Sequence, residues 1–560
     1  MKDIENSSEE IEYEKRLRRR LKILQEQFKA GKVYIQEGLG IENSLLAVRY
    51  GTDGEIDLNT VDGAVRSMAL AITAIHDREE MKKEISLHEI QKTYFSFIES
   101  NFGGFYKEMA RNELTPHQVG RALTRNKEFM DGLKGGLRDF LNAITEFWEA
   151  VGEVAHIHVE DMRGNVKGVF GGDLFPAQDE NIASKCGVFT DTIILPDPFL
   201  RSKHIFEHNS YEDCVYYLVK HAMNILKYKE LACAELDTPI VAIIPDLSVL
   251  QESEKEFYRT LGRQDALIHA GKLFGREFES FDELIEFGYS LDTIERVTAE
   301  IRDESRVLFD TNWKGNTESQ LKRALESKHY KPFINSPGML LASQSFSRMS
   351  VSNELLIKSR QLNGTPIIDA PTSWQYLVWK MEYDADRAES QLNSQGLHIL
   401  KGLGELAHNE MQWLGNIPSL ALIQLRKEGA MEEIRSILGK GVNEIIQSNP
   451  QDFHGTKDKI LGNIDFAFKQ HKENIKELTK KKWRFAGKDI GSWLVVGSLE
   501  VTAAVTGTPA WGLITIAADQ MLDVPKLKDI PKSIRSIIEE NNKVKKSPVG
   551  MLFNIKKTNS

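Results

Sequence analysis

Cysteine is scarce in this chain: three in 560 residues, Cys186, Cys214 and Cys233, with no CxxC spacing between them. That excludes a disulfide scaffold and the paired-thiolate zinc patterns, and it suits free thiols in a reducing compartment. Proline is sparse too, at 16 residues, and 40 glycines follow no period, so the chain is neither collagenous nor low-complexity. Met1 to Arg20 alternates acids and bases without an apolar stretch, which reads as no secretory signal and a cytoplasmic protein. No internal repeat of 20 to 50 residues recurs. Walker-type glycine loops, HExxH and GxSxG are also missing, which removes the simplest nucleotide-hydrolase, zinc-protease and serine-hydrolase readings. Positive charge is not in surplus: 72 Lys and Arg against 82 Asp and Glu give −10, which disfavours a global grip on nucleic acid.

What is present is a helical period at both ends. Ile11, Leu17, Leu21, Leu24 and Phe28 make one amphipathic helix over residues 9–30, stopped by Gly31. Residues 62–82 and 87–100 read the same way. Thr115-Pro116 is an N-cap with proline at the first helical position, and residues 133–151 continue the helical region. From Val154 the text becomes glycine-rich with short apolar runs, Thr192 to Pro196, Pro239 to Ile244 and Pro366 to Ile368, separated by helical stretches. Beyond Trp374 the helical period returns. The expected fold is α+β and mostly α-helical, with a small mixed or parallel sheet in the middle of the chain flanked by helical regions. The domain reading is a helical domain at 1–151, a mixed α/β domain at 152–372, a helical domain at 373–489, and a C-terminal apolar hairpin with a polar tail at 490–560.

Three features carry chemistry in the sequence. His156-x-His158 on an expected strand would present both rings on one face, as a metal site requires. Asp191, Asp197 and Asp246 stand at the ends of apolar runs, as does Asp369, and loops beyond parallel strands converge at one sheet edge. Gathered there, such carboxylates would hold Mg²⁺ or another divalent metal for hydrolysis of a phosphoester. The competing reading is that an aspartate after a strand caps the next helix or opens a turn. Asp197 and Asp246, each directly after an apolar run and a proline, are expected at the same edge. The third feature is the apolar block from Ile490 to Leu522, broken by Gly507-Thr508-Pro509 into pieces too short to span a bilayer and flanked by Lys480, Lys481, Lys482 and Arg484 on one side and Lys526 and Lys528 on the other. It reads as a helical hairpin that packs in a core, docks a partner or enters a membrane.

The stretches GVFTDTIILPDPFLRS, HYKPFINSPGMLL and IPSLALIQLRKEGAMEEIRSIL resemble segments of uncharacterised bacterial proteins of the phage-defence and genome-island type. They cover less than a tenth of the chain and assign no catalytic residue. What the resemblance implies is a bacterial setting and a role in antiviral defence. Two expectations follow. The first is a cytoplasmic effector or interaction protein without a cofactor, acting through its helical surfaces and the 490–522 hairpin on a protein partner, a second copy or a membrane. The second is a divalent-metal-dependent hydrolase or nuclease built on Asp191, Asp197 and Asp246, with His156 and His158 as metal ligands.

Overall fold

Hydrophobic spacing in the chain translates into two compact units in a computed structural model, one of Met1–Ile90 with Glu153–His158, the other of Gln91–Gly152 with Val159–Ser560. The structure describes residues 2–35, 40–52, 54–177, 181–247, 252–327, 336–386, 394–408, 411, 417–480, 484–485, 488–489, 547–548 and 551. The Ile490 to Leu522 hairpin lies outside the described residues. Among those described, no helix is long and apolar enough to cross a membrane.

In the first unit the helix Lys2–Lys29 lies along Gly63–Glu84, with Leu17, Leu21 and Leu24 packed on Val61, Val65 and Ala69. The stop expected at Gly31 is there: its φ of +66° is one that a side chain would oppose, and Lys32 N–H reaches back to the Gln27 carbonyl at 3.0 Å. Asp62 caps the second helix by accepting from Val65 N–H at 3.0 Å.

The second unit is mostly helical around a four-stranded sheet, as the alternation of apolar runs and helices predicted. Its strands are β1 (Lys167–Phe170), β2 (Thr192–Pro196), β3 (Val241–Ile244) and β4 (Gly364–Ile367), in the order β3-β2-β1-β4. Every pairing is parallel, with Gly168 opposite Ile193 and Thr365, and Ile194 opposite Ala242. β1, β2 and β3 are buried at every position, which is why β2 and β3 read as continuous apolar runs and not as alternating ones. The chain winds outward from β1 to β3, then returns through the helices Glu252–Phe274 and Pro337–Gln361 to lay β4 on the far side of β1. Those two helices cross closely, and a Cβ at Gly262 would collide with the Ser350 side chain. Asn363, at φ +48°, turns the second helix into β4. At the open flank of β3, Gln91 accepts from Ile243 N–H at 2.9 Å and donates to its carbonyl at 2.8 Å, occupying the hydrogen-bonding positions of an added strand.

One expectation fails in this region. The text around Val154 to Val159 is helix, the last turns of Lys127–Glu160, and the expected strand with His156 and His158 does not form there. The buried positions Ile144, Trp148, Ala155 and Val159 fall on a single helical stripe, and it outweighs the local alternation of His-Ile-His-Val. Between residues 281 and 309 the helical stretch is made of separate helices, Phe281–Ser290 and Ile294–Glu300, the second started by the Thr293 cap.

Candidate functional site

Strand order reverses between β1 and β4, and the carboxyl ends of all four strands lie on one edge of the sheet. In open α/β sheets the loops at such an edge diverge around the point of reversal and leave room for ligands. Here the edge carries Gly171-Gly172-Asp173 after β1, Asp197 after β2, Asp246 after β3 and Asp369 after β4. Asp197 and Asp246 are thus on the same edge, as expected, and the Asp197 N–H donates to the Ile244 carbonyl at 3.0 Å.

Asp197 is fully committed to neutral donors. One carboxylate oxygen accepts from Leu200 N–H at 2.7 Å, capping the short helix Pro198–Arg201. The other accepts from Tyr94 Oη at 2.6 Å and Trp148 Nε1 at 2.9 Å. Tyr94 comes from the helix Leu87–Arg111 and Trp148 from Lys127–Glu160, so the buried aspartate ties two helices to the strand end. Burial pushes its carboxyl above the ordinary range, against the pull of these hydrogen bonds.

Asp246 has the opposite surroundings. It is also buried, yet its two oxygens are ion-paired to Arg201 and Lys358, and Arg201 lies 3.5 Å from Glu354. Burial alone would raise its carboxyl, but the two cations outweigh that and hold it at about 2. Tyr258 sits close by with its phenol pushed up, by burial first and then by its hydrogen bond to Glu254 and the charges of Glu354 and Asp246. Arg201, Lys358, Glu354 and Tyr258 come from three further segments, and no short motif could have announced them.

At the reversal itself, Gly172 has φ +84° and its carbonyl accepts from Ser373 Oγ at 2.7 Å, while Arg348 donates to that Oγ at 3.1 Å. Asp369 accepts from Ala177 N–H at 2.8 Å. Burial raises its carboxyl, and the nearby charge of Asp173 adds to the effect.

The remaining predicted residues lie elsewhere. Asp191 precedes β2 and stands at the amino edge of the sheet, accepting from Val166 N–H at 2.8 Å and ion-paired to Arg435. It therefore joins neither Asp197 nor Asp246, because a residue ahead of a parallel strand and one behind it are separated by the strand's length. His156 and His158 are two apart on a helix, where successive side chains are turned by about 100°, so their rings diverge instead of sharing a face. His158 Nε2 donates to the Ile85 carbonyl at 2.8 Å, and His156 is buried. Among the described residues no group of three or more His, Cys, Asp or Glu side chains is placed to hold a metal ion. No family model matches the chain, and comparisons with curated proteins and with solved structures find no match either.

Proposed function

We propose that this chain is a bacterial effector or interaction protein that serves antiviral defence through contacts of its helical surfaces and of the 490–522 hairpin with a partner or a membrane. The observation that carries this reading is the condition of the sheet-edge carboxylates. Asp191 is at the far edge, Asp197 is saturated by Tyr94, Trp148 and Leu200, and Asp246 is neutralised by Arg201 and Lys358. A hydrolytic metal centre needs carboxylates from separate segments that converge with lone pairs turned to a shared point. These carboxylates instead act as a cap and as a core ion pair, work that supports a scaffold. The defence setting rests on the three resembling segments, and the hairpin's part rests on its apolar sequence with basic flanks.

Two assays on the full chain test the reading. In a bacterial host challenged with phage, removal of 490–522 abolishes protection, whereas Asp246→Asn in a folded protein leaves it in place. Purified protein with Mg²⁺ or Mn²⁺ does not turn over DNA, RNA or a phosphomonoester. A divalent-dependent hydrolysis lost in Asp246→Asn with the fold intact would overturn the reading in favour of the hydrolase.

A further inference from the structure

The helices Ser394–His408 and Phe453–Lys480 pack closely at Gly402, where a Cβ would crowd the Ile460 side chain. About one turn before Gly402 the first of them carries His398, whose side chain is buried, with the residue 1% exposed. Its ring stacks on Phe453 at 4.1 Å between centroids and 21° between planes, and Phe453 meets Trp374 edge-on at 5.1 Å. Both ring nitrogens are engaged. Nε2 lies 2.9 Å from the Pro450 carbonyl, and Nδ1 lies 2.9 Å from Thr456 Oγ1. One imidazole therefore fastens the turn at 450–452 and the first turn of the helix Phe453–Lys480 to the helix Ser394–His408.

A carbonyl can only accept, so Nε2 carries the proton of the neutral ring, and Nδ1 accepts the Thr456 hydroxyl. Protonation at Nδ1 reverses that second bond. Thr456 must then accept, and its own proton turns to the Asp452 carbonyl at 3.1 Å, an acceptor that the Thr456 N–H already reaches at 3.2 Å. The hydrogen bonds survive the change, and what is left is the cost of a charge in a buried place. The charged groups on the elements packed there are Asp452 on the turn, Lys401 and Glu405 on the ring's own helix, and His454 and Lys457 on the second helix. Lys401 lies 3.4 Å from Glu405, His454 3.9 Å from Glu405 and Lys457 3.8 Å from Asp458, while the Asp452 carboxylate accepts from Gly455 N–H at 2.8 Å. Among the described residues no carboxylate is ion-paired with His398. Burial holds the imidazole below its ordinary range, against the pull of the Pro450 carbonyl and the Asp452 charge. With the folded value below the unfolded one, the attachment is strongest above about pH 6.5 and weakens as pH falls from there.

We propose that His398 is a proton-operated latch: its neutral ring holds the turn at 450–452 and the start of the helix Phe453–Lys480 in place, and its protonation releases them. That helix leads in sequence to the 490–522 segment, so the latch governs when the segment is let go. This use of the latch rests on the effector reading and supplies its trigger.

Amide hydrogen exchange of the full chain, corrected for the intrinsic effect of pH on exchange, reads the latch over residues 450–460. Protection there falls by up to about tenfold between about pH 8 and about pH 5.5, the most that one group titrating near 6.5 in the open state allows. His398→Gln keeps a donor for Pro450 and an acceptor for Thr456 but takes up no proton, and it loses this pH dependence. An NMR titration of the His398 ring has its midpoint below about 6.5, and lower still in Thr456→Val, which removes the acceptor that the charged ring needs. The titration decides the matter even if His398→Gln does not fold. A ring that titrates at or above about 6.5, or a loss of protection that persists unchanged in His398→Gln, overturns the latch. Phage protection in the 490–522 deletion is scored separately, so failure of the effector reading leaves the exchange result standing and the two failures are told apart.

Discussion

Asp197 and Asp246 occupy equivalent places, each directly after a buried parallel strand, each buried, and at neighbouring positions on one edge. Their surroundings differ in kind. Asp197 receives three hydrogen bonds from uncharged groups, and burial prevails, so its carboxyl is raised. Asp246 receives two cations, and they prevail, so its carboxyl is held at about 2. A buried carboxylate is tolerated by either route, because hydrogen bonds and opposite charge both replace lost hydration, but at these two positions only the direct charge around Asp246 reverses the direction of the shift. The pair shows that one sequence signature, strand, proline, aspartate, corresponds to two electrostatic environments chosen by distant helices.

The largest expected effect breaks the neutral side of the comparison. Trp148→Ala removes a fully buried ring and one of the donors to Asp197, and should cost about 3–5 kcal/mol in urea-induced unfolding followed by far-UV dichroism. Tyr94→Phe keeps the ring and deletes only the hydroxyl, so it isolates the hydrogen bond at about 1–3 kcal/mol. If Tyr94→Phe proves neutral, Asp197 is held by its backbone cap and indole alone.

The charged side is broken by Lys358→Met, which leaves Asp246 with Arg201 as its cation. A loss of about 3 kcal/mol is expected by the same unfolding measurement. Acid sharpens the contrast further. The folded pKa of Asp246 lies below its unfolded value near 3.9, so its stabilisation is present above that value and is lost as pH falls from about 4 towards about 2, amounting to about 2–3 kcal/mol. Asp197 has the opposite sign: with its folded pKa raised, the protonated form favours the folded state, and that contribution fades as pH rises through the folded pKa. Asp246→Asn should therefore flatten the acid limb of a stability-against-pH curve, while Asp197→Asn should not. The reverse result would exchange the roles assigned to the two sites.

The smallest effect concerns the opposite edge of the sheet. Asp191→Asn keeps an acceptor for Val166 N–H and loses only its partly exposed pairing with Arg435, so a change within about 1 kcal/mol is expected in thermal unfolding. A larger loss would make the amino edge as dependent on buried charge as the carboxyl edge.

The elements themselves were readable wherever a pattern is local. Gly31 ends its helix, Thr115 and Gln118 form the capping box that Thr115-Pro116 announces, and Thr192 to Pro196 with Val241 to Ile244 are strands, because caps, stops and β-branched apolar runs act over a few residues. The parallel direction of the sheet follows from the helices between its strands, and it places Asp197 and Asp246 together. His156 and His158 were misplaced on a strand because a stretch of six residues can satisfy both periods, and the choice fell to packing along the much longer helix around Trp148. Asp191 shares the acid-beside-a-strand signature, yet which end of the strand it occupies puts it on the other edge. By itself the sequence determined element type where the pattern is local and unambiguous, together with the formal charge of each residue, since these depend on neighbours in the chain. Only the tertiary structure decided which acid met Tyr94 and Trp148 and which met Arg201 and Lys358, since those partners are brought in from helices between 45 and 112 positions away and burial multiplies the effect of whichever group arrives.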